Sequence, residues 1–107
     1  MISRRTIKSM AERIAKRFKP DKVVLFGSYA RGEATENSDV DLLVVTEHSA
    51  PRGRRSAPII RMLAEDFPLP VDVVVRSREV VERWKDAPGS FIRQVLEEGI
   101  VLYEKKN

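Results

Sequence analysis

The sequence predicts a small α/β domain, because helix-like and strand-like patterns alternate along the chain and one hydrophobic core can hold them. Short runs of β-branched and aliphatic residues indicate strands, and apolar residues spaced three or four apart indicate helices between them. The chain has 107 residues, of which 42% are hydrophobic, and this is enough for one core but not for two. We therefore expect residues 1–107 to form a single domain.

The first third of the chain predicts a helix, a strand and a tight turn. Four apolar residues at helical spacing would form the buried side of the helix: Ile7, Met10, Ile14 and Phe18. Pro20 ends this helix, since the residue before a proline disfavours helical geometry. The run 23–26 is β-branched and aromatic and stops at Gly27, as a buried strand that enters a turn should. A short helical turn over 29–31 follows.

The middle of the chain predicts strands over 40–45 and 71–75, with a loop and a helix between them. The loop falls in 46–56, which contains a proline and a glycine. The helix begins near Ser56, tolerates a proline in its first turn and stops at Pro68. Its buried residues would be Ile59, Met62, Leu63 and Phe67.

The rest of the chain predicts two short helices and a last strand. Ser77 is a candidate cap for a short amphipathic turn that runs to Trp84. The last helix occupies 91–98, and Gly99 ends it. A final strand then covers 100–103.

Three aspartates lie at the ends of the predicted strands. Asp39 and Asp41 open the second strand, and residues two apart in a strand project from one face, roughly 6 to 7 Å apart. Asp72 is the only polar residue in 71–75, which is unusual for a buried strand. If the third strand lies beside the other two, the three carboxylates converge, and such hard oxygen ligands favour Mg²⁺ completed by substrate phosphates.

The turn after the first strand is suited to phosphate. Gly27 lets the backbone approach a phosphate closely, and Ser28 offers a hydroxyl and a backbone N–H at the start of a helical turn. Arg31 could neutralise a triphosphate oxygen, although an exposed arginine at a helix end is equally compatible with the pattern. A nucleotide triphosphate would bind at this turn.

Each feature also has a purely structural explanation. Gly-Ser pairs are common in turns, Asp39 could shape a turn, and Asp72 could pair with an arginine. Three neighbouring carboxylates, however, repel one another and lower stability when no cation is bound. The combination therefore favours a functional site.

The segment GSYARGEATENSDVDLLVV resembles the signature of the DNA polymerase beta-like nucleotidyltransferases, in particular their minimal (MNT) group. The resemblance extends to Asp72 within PVDVVV, at the place of the family's third metal-binding acid, and to the closing helix and strand in FIRQVLEEGIVLYE. It implies a small mixed β-sheet flanked by helices. It also implies that Gly27 and Ser28 hold the triphosphate and that Asp39, Asp41 and Asp72 hold Mg²⁺.

This resemblance predicts nucleotidyl transfer, in which an acceptor oxygen attacks the α-phosphorus of ATP and expels pyrophosphate. Two Mg²⁺ ions about 3.5 to 4 Å apart would stabilise the attacking and leaving oxygens. Asp39 and Asp41 would hold both ions, and Asp72 would hold one of them and accept the hydroxyl proton. ATP as the donor follows from the family, because nothing in the sequence selects a base.

The minimal group also implies a partner: a HEPN-domain ribonuclease toxin whose tyrosine is adenylylated by the MNT antitoxin. Two alternatives remain open. The chain could neutralise its partner by binding alone, without catalysis. It could instead transfer the nucleotide to a small-molecule hydroxyl in a cleft built by a dimer.

Composition limits the remaining functional classes. The formal charge is +4, but the basic residues are spread among 16 acids and aromatic residues make up only 7%, so we do not expect direct nucleic-acid binding. No apolar run approaches the ~20 residues of a membrane span, and residues 1–5 lack a signal-peptide pattern. We therefore expect a cytoplasmic protein with no membrane contact. There is no cysteine, which excludes thiolate metal sites and disulfides.

Single residues outside the motif are harder to assign. Arg52, Arg54 and Arg55 form the sharpest basic cluster, and one of them could reach the nucleotide or an acidic partner. His48 is the only histidine, and its polar surroundings predict a solvent-exposed role. Trp84 is expected to pack in the core or in a satellite cluster rather than to stack on a base, although a partly exposed tryptophan would suit a protein interface.

Overall fold

The computed structural model describes residues 1–47, 55–67 and 69–106. Five helices and four strands lie within these ranges: α1 (Arg4–Phe18), β1 (Lys22–Phe26), α2 (Ser28–Arg31), β2 (Val40–Thr46), α3 (Ser56–Asp66), β3 (Val71–Ser77), α4 (Arg78–Trp84), α5 (Phe91–Glu98) and β4 (Ile100–Glu104). The predicted elements are confirmed, including the limits of the last helix. The two middle strands are each longer than predicted at their carboxyl ends.

The strands form one mixed sheet in the order β3-β2-β1-β4. Strand β1 is antiparallel to both of its neighbours, β2 and β4. Strands β2 and β3 are parallel, which requires a crossover between them, and α3 provides it. The prediction of a small mixed sheet flanked by helices is therefore confirmed.

The sheet has a large apolar core on one face and a small one on the other. Helices α1 and α3 cover the first face with residues such as Met10, Ile14 and Leu63, which are at most 1% exposed. Helices α4 and α5 lie on the second face, where the buried cluster has four members: Val24, Leu43, Val45 and Val95. The first face therefore supplies most of the hydrophobic stabilisation, and the second has room for polar side chains.

Strand alternation decides which face carries the aspartates. In β2, Leu42 and Val44 belong to the large core, whereas Leu43 and Val45 belong to the small one. Side chains two apart share a face, so Asp41 lies on the same face as Leu43, beneath α4 and α5. The acid is thus kept out of the large core by its register alone.

Serine caps set where three of the helices begin. Ser3, Ser77 and Ser90 each accept a hydrogen bond from the backbone N–H three residues later, which satisfies a donor that the helix itself leaves unpaired. The prediction that Ser77 is a cap is confirmed, because the Val80 N–H donates to its hydroxyl oxygen at 3.2 Å. Trp84 is 48% exposed and belongs to neither buried cluster, so the expectation of core packing is wrong and the partly exposed alternative is the one observed.

Three predicted features on the loop after β2 cannot be placed. Arg52, Arg54 and His48 lie outside the described residues. Arg55 is described and half-buried, immediately before α3. None of the helices in the described ranges combines the length and apolar character that a membrane crossing requires.

Candidate active site

The turn after β1 has a backbone that only glycine adopts easily. Gly27 has φ 74° and ψ −157°, a region in which a Cβ atom clashes with the backbone. Its carbonyl oxygen accepts hydrogen bonds from the N–H groups of Ala30 and Arg31, at 3.0 and 3.1 Å. These bonds close α2, so the glycine both reverses the chain and starts the short helix.

The same glycine touches a predicted metal ligand. A Cβ placed on Gly27 would lie 2.2 Å from Oδ2 of Asp41, well inside van der Waals contact. The contact follows from the antiparallel register, which pairs Phe26 with Asp41. The phosphate-type turn and the carboxylate are therefore packed together at one end of the sheet.

Helix α2 is fixed to the rest of the domain through its tyrosine. The Tyr29 side chain is 9% exposed and belongs to the large core. Its hydroxyl accepts a hydrogen bond from the N–H of Ile2 at 3.1 Å. Ser28, the first residue of α2, is half-buried, and its carbonyl oxygen accepts from the N–H of Glu33 at 2.9 Å.

The three predicted acids lie at the same end of the sheet. The parallel register of β2 and β3 pairs Asp41 directly with Asp72, which puts both side chains on one face. Asp39 precedes β2 and is not part of it, because strand pairing begins at Val40. Asp41 is half-buried, whereas Asp39 and Asp72 are exposed.

Two details differ from the sequence expectation. Asp39 and Asp41 do not both project from a strand, because Asp39 lies in the preceding loop. Strand β3 neighbours β2 but not β1, so Asp41 lies between Asp72 and the Gly27 turn. Within the described ranges, no three acid or histidine side chains are grouped so as to hold one metal ion.

The charges of the acids nevertheless act on one another. Burial raises the pKa of Asp41 above its ordinary value, and the neighbouring carboxylates of Asp72 and Asp39 raise it further, while the Arg31 guanidinium lowers it. Carboxylates that repel in this way are a donor set that a divalent cation would stabilise. The exposed side chains of Asp39 and Asp72 can also reorient at little cost, so the residues fit a hard cation.

Glu98, at the end of α5, is a fourth acid that the sequence analysis missed. Its Oε1 accepts from the Gly27 N–H at 3.4 Å, and its Oε2 accepts from Arg31 at 3.1 Å. Arg31 also donates to Glu33 at 2.7 Å, and these hydrogen bonds raise the pKa of Arg31. The two acids before Gly99 were a usable signal, because a negative charge at a helix carboxyl end is unfavourable and calls for a local partner.

Close packing at Gly99 brings Glu98 to the site. A Cβ on Gly99 would lie 2.4 Å from the Val95 carbonyl oxygen and 2.5 Å from Cγ1 of Val24. Only a residue without a side chain lets α5 end so close to β1. The end of the helix therefore reaches the Gly27 turn.

Comparison with known proteins identifies the family. Residues 7–102 match the nucleotidyltransferase domain, a range that includes the Gly27 turn, the three aspartates and Glu98. The chain is 39% identical over 82 residues to MJ0604 of Methanocaldococcus jannaschii, whose name proposes a protein adenylyltransferase, and the match covers 77% of each chain. It is 34% identical over 90 residues to spectinomycin 9-adenylyltransferase of Staphylococcus aureus, covering 72% of this chain and 35% of that enzyme.

Solved structures give the same fold. A toxin-antitoxin crystallised with AMP-PNP has a TM-score of 0.66 at 22% identity, over 92% of this chain and 74% of that one. A mutant of the MntA-HpeT toxin-antitoxin has a TM-score of 0.65 at 21% identity, over 98% and 76% of the two chains. With the glycine turn and the acids already located at one end of a mixed sheet, the sequence match settles the family: this chain belongs to the nucleotidyltransferase domain family, and it is an enzyme of that class.

Proposed function

We propose that this chain is an antitoxin that transfers AMP from ATP to a tyrosine hydroxyl of a partner HEPN ribonuclease toxin. The observation that carries the proposal is the packing of the Gly27 turn against the Asp41 carboxylate, where a Cβ would lie 2.2 Å from Oδ2. A backbone suited to phosphate and an acid suited to a metal are thus immediate neighbours. Nucleotidyl transfer needs both, because the phosphates must be held and the charge on the attacking and leaving oxygens must be stabilised.

The turn would bind the triphosphate. The Gly27 backbone admits a close approach of phosphate oxygens, and Ser28 offers a hydroxyl at the first position of α2. Arg31 lies on the same short helix and is exposed, so its guanidinium can meet a phosphate oxygen. The names of relatives such as MJ0604 support an adenylyl donor.

Asp39, Asp41 and Asp72 would hold Mg²⁺, and we propose that two ions bind. When bound, the metal supplies charge stabilisation for the attacking and leaving oxygens. The raised pKa of Asp41 beside two other acids supports this role, because a cation would remove the repulsion. The side chains of Asp39 and Asp72 are exposed and can turn toward a bound cation.

The chain's own residues then account for the transfer. The tyrosine oxygen of the partner attacks the α-phosphorus, a new P–O bond forms, and the bond to pyrophosphate breaks. The hydroxyl proton passes to the carboxylate of Asp72, which is exposed and so can be reached by a residue on another protein. Arg31 and the turn hold the departing pyrophosphate.

The protein partner is supported by the openness of the site and by the comparisons. Asp39 and Asp72 are exposed, and β3 is an outer strand of the described sheet, so a protein segment can approach from that side. Two similar structures are toxin-antitoxins. The choice of a HEPN toxin as the partner and of a tyrosine as the acceptor rests on the family resemblance alone.

The test is to express the chain together with its candidate toxin and weigh the toxin by intact mass spectrometry. We expect the added mass of one or more AMP groups, and we expect it to disappear when Asp39→Asn and Asp41→Asn are combined. Asp66→Asn is the matched control, since Asp66 ends α3 on the other face and pairs with Arg13. An unmodified toxin held in a stable complex would instead establish neutralisation by binding alone.

A small-molecule acceptor is the second candidate, and one finding favours it. The staphylococcal relative is named a spectinomycin 9-adenylyltransferase, a name that indicates a small-molecule acceptor for that protein. Incubation of the purified chain with ATP and spectinomycin, without any protein partner, tests this candidate. Release of pyrophosphate that depends on the antibiotic would favour it over the toxin.

A further inference from the structure

Glu98 contacts both groups that the proposed function assigns to phosphate. Its carboxylate accepts from the Gly27 N–H at 3.4 Å and from Arg31 at 3.1 Å. The side chain is only 20% exposed, against 44% for Arg31. A carboxylate therefore lies where a phosphate oxygen of the nucleotide would have to bind.

The position of Glu98 is unfavourable on other grounds. It is the last residue of α5, where the helix dipole disfavours a negative charge. Its charge also adds to the repulsion at Asp41. By contrast, the adjacent Glu97 is 65% exposed and pairs along the helix with Arg93 at 2.8 Å, an ordinary surface arrangement.

We propose that Glu98 occupies the Gly27 N–H and Arg31 in the nucleotide-free protein and that the triphosphate displaces it, which makes Glu98 a residue that sets nucleotide affinity. This inference rests on the proposed function. A carboxylate and a phosphate compete for the same donors, so every bound triphosphate must first break the Glu98 contacts. Arg31 changes partner in the exchange and keeps its contact with Glu33.

The exchange also makes Glu98 a specificity residue. A ligand without phosphate carries no phosphate oxygen to accept from the Gly27 N–H and Arg31, so its binding does not depend on whether Glu98 is present. A triphosphate carries several negative oxygens and competes well with a single carboxylate. Glu98 thus lowers the affinity for all ligands that need the turn and leaves the others unchanged.

Isothermal titration calorimetry with ATP and Mg²⁺, in the absence of any partner protein, tests the inference. Glu98→Gln keeps the size and the acceptor oxygen of the side chain but removes its charge and one acceptor. We expect its dissociation constant for ATP to fall roughly three- to tenfold. Binding of adenosine, measured in the same way, should not change.

Glu97→Gln is the matched control, because it removes the same charge from the neighbouring position. We expect no change in ATP affinity. An equal gain in this variant would attribute the effect to net charge and overturn the proposal. Unchanged or weaker ATP binding in Glu98→Gln, with an unfolding temperature close to that of the wild type, would also overturn it.

Arg31→Ala separates the contacts. In that background the gain from Glu98→Gln should shrink, because the main donor has been removed, and the difference between the two gains measures the coupling. A full gain in the Arg31→Ala background would contradict the exchange.

The two proposals can fail separately. A chain that shows the Glu98 dependence but never transfers AMP would refute the proposed function alone. A chain that transfers AMP and shows no Glu98 dependence would refute this inference alone. ATP binding that is absent from the wild type and every variant would refute both.

Discussion

The two ends of the sheet differ in what surrounds their acidic residues. At the end where β1 begins, Asp21 accepts two hydrogen bonds from Arg78, at 3.1 and 2.8 Å; we call this the paired end. At the end where β1 finishes, which we call the acidic end, Asp41 faces the charges of Asp72 and Asp39. Structural acids are neutralised by a partner, whereas acids kept beside one another point to a ligand that is not part of the chain.

The paired end also carries a cavity. A cavity of about 420 Å³ lies at the paired end, lined in part by Phe18, Ile59 and Asp21. None of the three site aspartates lines it. This cavity is therefore separate from the three aspartates, and the chemistry of the acidic end identifies the candidate site.

Among single substitutions, the largest expected effect comes from Gly27→Ala at the acidic end. The added Cβ would lie 2.2 Å from the Asp41 carboxylate, so the carboxylate or the turn must shift. We expect transfer to fall by about 100-fold or more and stability to fall by roughly 2–4 kcal/mol. Turnover measurements and denaturant unfolding check the two effects.

Gly32→Ala is the control for that substitution. Gly32 also has a positive φ, 73°, but a Cβ there meets no atom within 4 Å. We expect a loss of about 1–2 kcal/mol from backbone strain with transfer retained. Equal losses of transfer in both variants would mean that the contact with Asp41 is unimportant.

Mg²⁺ should stabilise the protein through the acidic end. A cation that binds only the folded chain raises stability by about 1.4 kcal/mol when its concentration is roughly ten times its dissociation constant. We expect thermal unfolding to shift upward in the wild type and to shift much less in Asp41→Asn. Equal shifts in both proteins would place the bound Mg²⁺ elsewhere.

Without metal, Asp41→Asn should make the protein more stable at neutral pH. Because the pKa of Asp41 is raised in the folded protein, folding holds its proton more tightly than the unfolded chain does. That contribution is complete below the unfolded value of about 3.9 and is lost as the pH rises through the folded value. Asparagine does not ionise, so the variant avoids the loss.

The difference in stability between Asp41→Asn and the wild type should therefore grow as the pH rises from acid to neutral. We expect the variant to gain roughly 0.5–1 kcal/mol at pH 7 in EDTA, an estimate that allows for solvent screening of a partly exposed group. Thermal unfolding at a series of pH values measures it. A variant less stable than the wild type at neutral pH would show that Asp41 has a stabilising role instead.

The smallest expected effect is at the paired end. Asp21→Asn removes the charge that pairs with Arg78, whose side chain is 54% exposed against 18% for that of Asp21. We expect a slight loss of stability that diminishes as salt is added, with transfer unchanged. A clear loss of transfer would break the functional contrast between the two ends.

Local patterns in the sequence were sufficient for the elements but not for every contact. Apolar spacing and breakers such as Pro20 and Gly99 located the helices and strands, because these signals act over a few residues. The direct pairing of Asp41 with Asp72 depends on strand register, which no local pattern reports. The position of Asp39 before β2 depends on where pairing starts, so the prediction that it projects from the strand was wrong.

The contact made by Glu98 is even further from what a local sequence pattern can report. Its contact with Gly27 spans 71 positions in the sequence, and the family resemblance names only the glycine turn and the three acids. The assignments of Asp39, Asp41, Asp72, Gly27, Ser28 and Arg31 remain predictions about roles, although the structure brings them to one end of the sheet.

The contact between Gly27 and Glu98 also ties the site to the cooperativity of folding. Helix α5 and β4 are the last elements of the chain, and β4 is held at the outside of the sheet by β1 alone among the strands. Outer elements open by local unfolding more readily than central ones. Such fraying would withdraw Glu98 while leaving the acids on β2 and β3 in place, so amide exchange in α5 and β4 should report on the state of the nucleotide site.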